Sequence, residues 1–132
     1  MIRMFRLRKD AKGAAAIEMA LAIPILLELF WLIFQAGLVF RAMSGIQHGL
    51  GEGARYATLY PQPVNSQIKT KISDTVYGIG PGNFTIATPS PGTADGANYL
   101  DLTVSYTQDT DLIFIPGPTI TVSRSKRVWV SS

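Results

Sequence analysis

The chain has 132 residues, of which 47% are hydrophobic, with 12 basic and 9 acidic side chains and no cysteine. Five of the basic residues and one acid lie in residues 1–13, which leaves seven positive and eight negative charges in the rest of the chain. The basic character therefore belongs to the N-terminus and does not indicate a nucleic-acid-binding surface. The absence of cysteine excludes disulfides, thiol chemistry and cysteine metal sites.

A long apolar run follows the basic N-terminus, from Ala14 to Phe40, and its strongly polar members are Glu18, Glu28 and Gln35. A helix of this length measures roughly 40 Å, more than the ~30 Å hydrocarbon core of a bilayer. We therefore expect a single transmembrane helix. The positive charges before it predict a cytoplasmic N-terminus and an extracytoplasmic remainder. The length of the apolar run and the two acids within it are not typical of a cleaved secretory signal.

The junction between the basic leader and the apolar run reads GAAAIE, from Gly13 to Glu18, which is a Gly-x4-Glu pattern. This pattern resembles the processing site of type IV pilins and pseudopilins. The resemblance implies that a prepilin peptidase, an intramembrane aspartyl enzyme, cuts between Gly13 and Ala14 at the cytoplasmic face. Glycine suits such a position, because without Cβ its backbone can be extended and closely approached.

Cleavage at this position would give Glu18 a partner. The new α-amino group of Ala14 would be cationic at neutral pH. An unpaired ammonium or carboxylate near lipid costs on the order of several kcal/mol, and pairing offsets much of that cost. The resemblance implies that the acid meets the terminal amine of a neighbouring subunit and sets the register of assembly. The alternative is that Glu18 only interacts favourably with the helix dipole.

Within this superfamily, the chain most resembles TadE-like pseudopilins of the tight-adherence (Tad, or Flp) pilus system. The segment GAAAIEMALAIPILLELF resembles their membrane anchor. A second block, EGARYA, resembles their other motif and consists of Glu52, Gly53, Ala54, Arg55, Tyr56 and Ala57. The resemblance implies pilin and other pseudopilin subunits, the prepilin peptidase, an inner-membrane assembly platform and membrane lipid as partners, and it implies no cofactor.

Three residues of the apolar run are unusual for a straight helix that faces only lipid. Pro24 removes one backbone hydrogen bond and is expected to kink the helix, unless it is simply a tolerated transmembrane proline. Glu28 lies near the middle of the span, where an ionised acid costs on the order of 3 kcal/mol. Gln35 follows seven residues later on the same face. We predict that this polar face, and Glu28 in particular, contacts another membrane component or filament subunit.

Beyond the apolar run, the segment from Arg41 to Ala57 predicts a continued amphipathic helix, because apolar residues recur at spacings of three and four. Gly45, Gly49 and Gly53 form a separate line at a spacing of four. Each glycine costs about 1 kcal/mol in a helix. Such a line predicts either a face that another backbone approaches closely or a flexible hinge between the anchor and the head, and the sequence favours neither.

The C-terminal part predicts a small α+β head. The prolines of the PQP segment end the long helix, and a repeat of four from Val64 predicts a short helix to Tyr77. Three strands of an antiparallel sheet are predicted by alternation, over residues 84–88, 98–107 and 119–130. The segment PSPGTADGAN is interpreted as a turn-rich loop. The segment LIFIPGP is too apolar for a solvated loop, and we expect it to pack on the core or on a neighbour.

The sequence thus predicts a leader at residues 1–13 that is cleaved, a transmembrane and assembly helix at 14–58, and an extracytoplasmic head at 59–132. The aspartates of the head lack the number and spacing of calcium ligands, and there is no nucleophile elbow or phosphate loop. We therefore expect no metal, no cofactor and no enzymatic activity. The leading hypothesis is a minor pseudopilin of the bacterial inner membrane that joins or primes an extracytoplasmic pilus. The alternative is a permanently anchored extracytoplasmic binding module that is never processed.

Overall fold

The computed structural model describes residues 11–78, 80–113 and 115–131, with only the backbone described for Ala11 and Lys12. Residues 1–10 of the predicted leader lie outside this part. Two helices are followed by four strands: α1 (Ala11–Ala57), α2 (Asn65–Thr75), β1 (Asn83–Ile86), β2 (Ser90–Ala94), β3 (Ala97–Asp111) and β4 (Pro116–Val130). The predicted α+β class and the long N-terminal helix are confirmed.

The helix α1 is continuous over 47 residues and includes Pro24. At about 1.5 Å per residue it is roughly 70 Å long, so a single element connects the apolar segment to the head. It ends at Ala57, after which the N–H groups of Thr58 and Leu59 bond to the carbonyls of Arg55 and Tyr56. The prolines that follow have no N–H and cannot extend the helix.

The sheet has four strands, so the prediction of three strands was wrong. The long strand β3 lies in the middle, β4 pairs along one side of it, and β1 and β2 pair with different parts of the other side, all antiparallel. The missed strand is β2, which lies in the segment that was interpreted as a loop. Its Ser-Pro-Gly composition is typical of loops, but proline and glycine are tolerated in a strand at the edge of a sheet.

The turn between β2 and β3 explains why this short strand forms. Ala94 pairs with Ala97, so the loop contains two residues, Asp95 and Gly96, with φ of 51° and 76°. Two positive φ values are typical of a type I′ hairpin turn, for which Asp-Gly is a preferred sequence. The close fit also needs Gly92, because a Cβ there would collide with the ring of Tyr99. The Asp-Gly pair was the available sequence signal for this hairpin.

The hydrophobic core lies between the C-terminal half of α1, the helix α2 and one face of the sheet. The strand predicted over residues 98–107 lies within β3, and side chains along it alternate between buried and partly exposed. The buried apolar residues are Val39, Ala42, Ile46, Leu50, Ala54, Ala57, Ile68, Ile72, Leu100, Leu102, Val104, Tyr106 and Val128. Every member contributed by α1 comes after residue 38, so the first half of that helix takes no part in the core.

The first half of α1 extends beyond the head and exposes its apolar side chains. Its best 18-residue window has a mean hydropathy of 2.1, and none of that window is buried. Among the described residues, this helix alone has the length and composition to cross a membrane. The prediction of one membrane-spanning helix is therefore consistent with the structure in length, composition and exposure.

The outer face of the sheet carries an exposed cluster of aromatic and charged side chains near the start of β3. Tyr99 and Trp129 are cross-strand partners with ring centroids 5.6 Å apart. Arg127 lies with its guanidinium carbon 3.8 Å from the Tyr99 centroid and donates hydrogen bonds of 2.8 and 2.9 Å to the Asp101 carboxylate. These hydrogen bonds hold the pKa of Asp101 below its usual value.

Candidate assembly and membrane site

The predicted processing boundary lies in the first turns of α1. Gly13 is the third residue of the helix and is half-buried, whereas the side chains of Ala14 and Glu18 are exposed. Four residues separate Ala14 from Glu18, which places them about 6 Å apart along the helix axis. The Glu18 carboxylate is therefore accessible to a group on another molecule, and its pairing with a terminal amine stays a prediction.

The polar face of the apolar segment meets the connection between β3 and β4. We call the described residues of this connection, 112, 113 and 115, the hairpin tip. Gln35 holds its base: the side-chain amide donates to the carbonyl of Asp111, and the N–H of Asp111 donates back to Oε1 over 3.2 Å. The indole N–H of Trp31 donates to the same carbonyl over 2.6 Å. Two side chains from successive turns of α1 therefore share one carbonyl of the hairpin.

Glu28 extends this contact by two further turns of helix. Its Oε2 accepts a hydrogen bond of 3.0 Å from the N–H of Ile113 in the hairpin tip. Its Oε1 is buried without a hydrogen-bond partner among the described residues. Gln35 is also buried, with 5% of its surface exposed. The apolar helix thus binds the tip through Glu28 and the base of the tip, at Asp111, through Trp31 and Gln35, and the three side chains lie on one face.

We predicted that this polar face, and Glu28 in particular, contacts another membrane component or filament subunit, and the partners seen for Glu28 and Gln35 are backbone groups of the same chain. A contact with another molecule stays a prediction. Sequence reasoning did not identify Trp31 as part of this face. Its spacing of four residues from Gln35 was a usable signal, as was the apolar character of the LIFIPGP segment, which we expected to pack on the core or a neighbour.

The three predicted glycines of α1 face the second helix and the residues that follow it. A Cβ on Gly45 would collide with the backbone carbonyl of Tyr77. A Cβ on Gly49 would collide with Val76, and one on Gly53 with Ile72. The glycine line therefore lies where another part of the same chain approaches α1 closely, and the helix is continuous through it.

The EGARYA block has a buried and an accessible side. Gly53, Ala54 and Ala57 are buried against the head, where small side chains allow close packing. Arg55 is exposed, and Glu52 and Tyr56 are half-buried. These three residues line a shallow cleft next to α2. The small residues of the motif are thus explained by packing, whereas its polar residues remain available for a partner.

The aspartates of the head have local structural roles. Asp95 forms the β2–β3 turn, Asp101 pairs with Arg127, and Asp109 accepts a 2.6 Å hydrogen bond from the hydroxyl of Thr119. The backbone of Asp111 binds Gln35. Within residues 11–78, 80–113 and 115–131, no three acidic or histidine side chains come together in a group that could hold a metal ion.

A family model described as TadE-like protein matches residues 13–55. This part of the chain is TadE-like. The recognition made from the Gly-x4-Glu and EGARYA patterns is confirmed over these residues, and the match is consistent with a TadE-like protein of Tad pilus systems. The TadE-like region begins at Gly13 and ends within the EGARYA block, so it covers α1 and leaves the head unmatched. No match was found among curated proteins or among solved structures.

Proposed function

We propose that this chain is a minor pseudopilin of a Tad/Flp-type pilus. In this proposal α1 inserts into the bacterial inner membrane with its N-terminus in the cytoplasm and the head outside, as the positive charges of the leader favour. A prepilin peptidase then cuts between Gly13 and Ala14. The observation that carries the proposal is that the TadE-like match begins at Gly13 and continues along a helix whose first half has uncovered apolar side chains.

The apolar half of α1 supplies the surface for subunit packing. In a bilayer, apolar side chains gain little by exchanging lipid for protein, so close packing and polar contacts must decide how helices associate. The exposed Glu18 would supply such a contact by pairing with the new amine of Ala14 on a neighbouring subunit. One pair per subunit fixes the axial register, because any other register leaves both charges unpaired near lipid.

The proposal gives this chain no catalytic role. The prepilin peptidase performs the cleavage, and a cytoplasmic ATPase of the assembly machinery supplies the work of extrusion. The chain contributes to pilus assembly, adhesion or secretion by packing with pilins and other pseudopilins and by contacting the assembly platform. The accessible side of the EGARYA block, with Glu52, Arg55 and Tyr56, is available for such contacts.

Intact-mass spectrometry of the protein recovered from membranes of its native host tests the proposal. We expect a polypeptide that begins at Ala14, with residues 1–13 removed. The variant Gly13→Leu is expected to keep the leader, because the larger side chain prevents close approach of the backbone. Gly37→Leu is a matched control: it places the same side chain on the same helix, where a Cβ meets nothing within 4 Å, and it should be processed normally.

Recovery of the wild-type chain with residues 1–13 attached, from cells that assemble pili normally, would contradict processing. That result would favour the alternative, a permanently anchored extracytoplasmic binding module. Efficient cleavage of the Gly13→Leu variant would also contradict the assigned position. Comparing membranes with sheared pili then distinguishes a subunit that enters the filament from one that stays in the inner membrane.

A further inference from the structure

The hairpin tip lies beside the part of α1 that is expected to cross the membrane. If the hydrocarbon core begins at Ala14, a thickness of ~30 Å is spanned by about 20 residues, and the outer boundary falls close to Phe34. Gln35, which holds the base of the tip, is then at this boundary. Glu28, which binds Ile113, is about 9 Å inside it. The contacts with α1 therefore place the tip below the outer surface of the bilayer.

The backbone of the tip is suited to an environment without water. The N–H of Leu112 donates to the carbonyl of Ile115 over 2.9 Å, and the N–H of Ile115 donates back over 3.2 Å. The N–H of Ile113 is bound by Glu28, and that of Asp111 by Gln35. The next residue, Pro116, has no N–H. Each described N–H from residue 111 to 115 thus has a partner, as lipid requires, because an unsatisfied group there costs several kcal/mol.

Two described side chains of the tip are apolar and exposed. Ile113 is 47% exposed and Ile115 is 61% exposed. No ionisable residue occurs between Asp111 and Arg124, so the whole turn and the start of β4 are without charge. In water these isoleucines would form an exposed apolar patch next to the equally exposed apolar helix. In lipid the same side chains are favourably solvated.

We propose that the hairpin tip is inserted in the extracytoplasmic leaflet of the membrane, with lipid acyl chains covering Ile113 and Ile115. Lipid is favoured over a second copy of the chain because α1 itself holds the tip at this depth, so every inserted copy meets lipid before it meets a neighbour. The insertion also provides Glu28 with a backbone donor inside the bilayer. The inference depends on α1 spanning the membrane, and it does not depend on cleavage or on pilus assembly.

Site-specific fluorescence of the full chain in lipid vesicles tests this inference. The chain has no cysteine, so Ile113→Cys and Ile115→Cys each provide a single labelling site for a bimane fluorophore, at side chains that are already exposed. Asp95→Cys is the matched control, because its turn lies at the opposite end of β3. The vesicles contain phosphatidylethanolamine, phosphatidylglycerol and either unlabelled lipid or lipid with a nitroxide on the acyl chain.

We expect acyl-chain nitroxide to quench the labels at 113 and 115 several-fold more strongly than the label at 95, and we expect aqueous iodide to show the reverse order. Equal iodide quenching at 113 and 95 would place the tip in water and overturn the inference. Disulfide formation between Ile113→Cys copies, without quenching by lipid nitroxide, would assign the surface to a second copy and would also overturn it. The Gly13→Leu background should give the same quenching, so failure here is separable from failure of processing.

Discussion

The two halves of α1 share one continuous helix but have opposite surroundings. In the first half, Ile33 exposes 60% of its surface, whereas Ile46 in the second half is fully buried beneath the head. Both are isoleucines in regular helix, so local propensity does not separate them. The difference teaches that the exposed apolar residues of the first half are not an incomplete core. They form a surface suited to a second solvent, the hydrocarbon of a bilayer.

The glycines of α1 show the same contrast at shorter range. Gly37 and Gly51 have open space where a Cβ would be placed, whereas Gly45 faces the backbone of the segment after α2. Glycine lowers helix stability wherever it occurs. Only at the covered positions does the close approach of another segment compensate for this cost. At the covered positions the head therefore occupies the space that a side chain on α1 would need.

The largest expected effect comes from truncating equivalent side chains in the two halves. We expect Ile46→Ala to destabilise the head by about 2–5 kcal/mol, because it leaves a cavity in a fully buried site. We expect Ile33→Ala to leave head stability unchanged, since that side chain has no place in the core. Denaturant unfolding of the full chain in micelles, followed by the fluorescence of the head, measures both. Equal losses of head stability for the two variants would disprove the division of α1 into an exposed first half and a second half that packs in the core.

Substitutions at a covered and an open glycine of α1 provide a second comparison. Gly45→Ala is expected to destabilise the head by about 1–3 kcal/mol, because the new Cβ would collide with the Tyr77 carbonyl and the backbone cannot yield easily. Gly51→Ala is expected to stabilise it by up to about 1 kcal/mol, since alanine is a better helix former and the site is open. Thermal unfolding of both variants under the same conditions should give shifts of opposite sign. A stabilising Gly45→Ala would contradict the close contact with the backbone of Tyr77, after α2.

The smallest effect is expected on the solvent face of the head, away from both halves of α1. Because Arg127 lowers the folded-state pKa of Asp101, the pair contributes stability above the unfolded pKa of ~3.9 and loses it as pH falls through the folded value. We therefore expect no pH dependence from this pair between about pH 5 and 8, and a loss below about pH 4. The Asp101→Asn variant should lack this acid-range component.

Unfolding midpoints at pH 7 and pH 3 measure this effect, with Asp95→Asn as the control in the neighbouring turn. The difference between wild type and Asp101→Asn should be small, since both partners are accessible to solvent and surface ion pairs contribute little. A carboxyl titration of Asp101 by NMR with an ordinary pKa would refute the assignment.

Hydrophobic periodicity was sufficient to predict both helices and the strand β3, because these elements depend on many residues that agree with one another. The alternation of Leu100, Leu102 and Val104 with polar residues predicted the strand, and the structure buries all three side chains. The strand β2 could not be found in this way. Its five residues carry no alternation, and it is formed by its partner strand and by the Asp95–Gly96 turn.

The functional residues show the same distinction between local sequence signals and contacts that are distant in the chain. The Gly-x4-Glu and EGARYA patterns were enough to recognise the TadE-like region, because each is a local sequence feature. The contact of Glu28 with Ile113 spans 85 positions in the chain. Only the antiparallel packing of β3 along α1 brings these residues together, and no local pattern encodes such a distance. The polar residues in the apolar run nevertheless indicated that a partner was required.

The hydrogen bonds from Glu28, Trp31 and Gln35 to the hairpin have a mechanical consequence. They are internal to the subunit, so they need not break if the anchor is drawn out of the membrane as the proposed function requires. The helix α1 and the hairpin tip bound to it would then move together as one unit. The work of extraction would then be spent on lipid contacts and not on these internal hydrogen bonds. The head would keep its fold when the subunit joins an assembly.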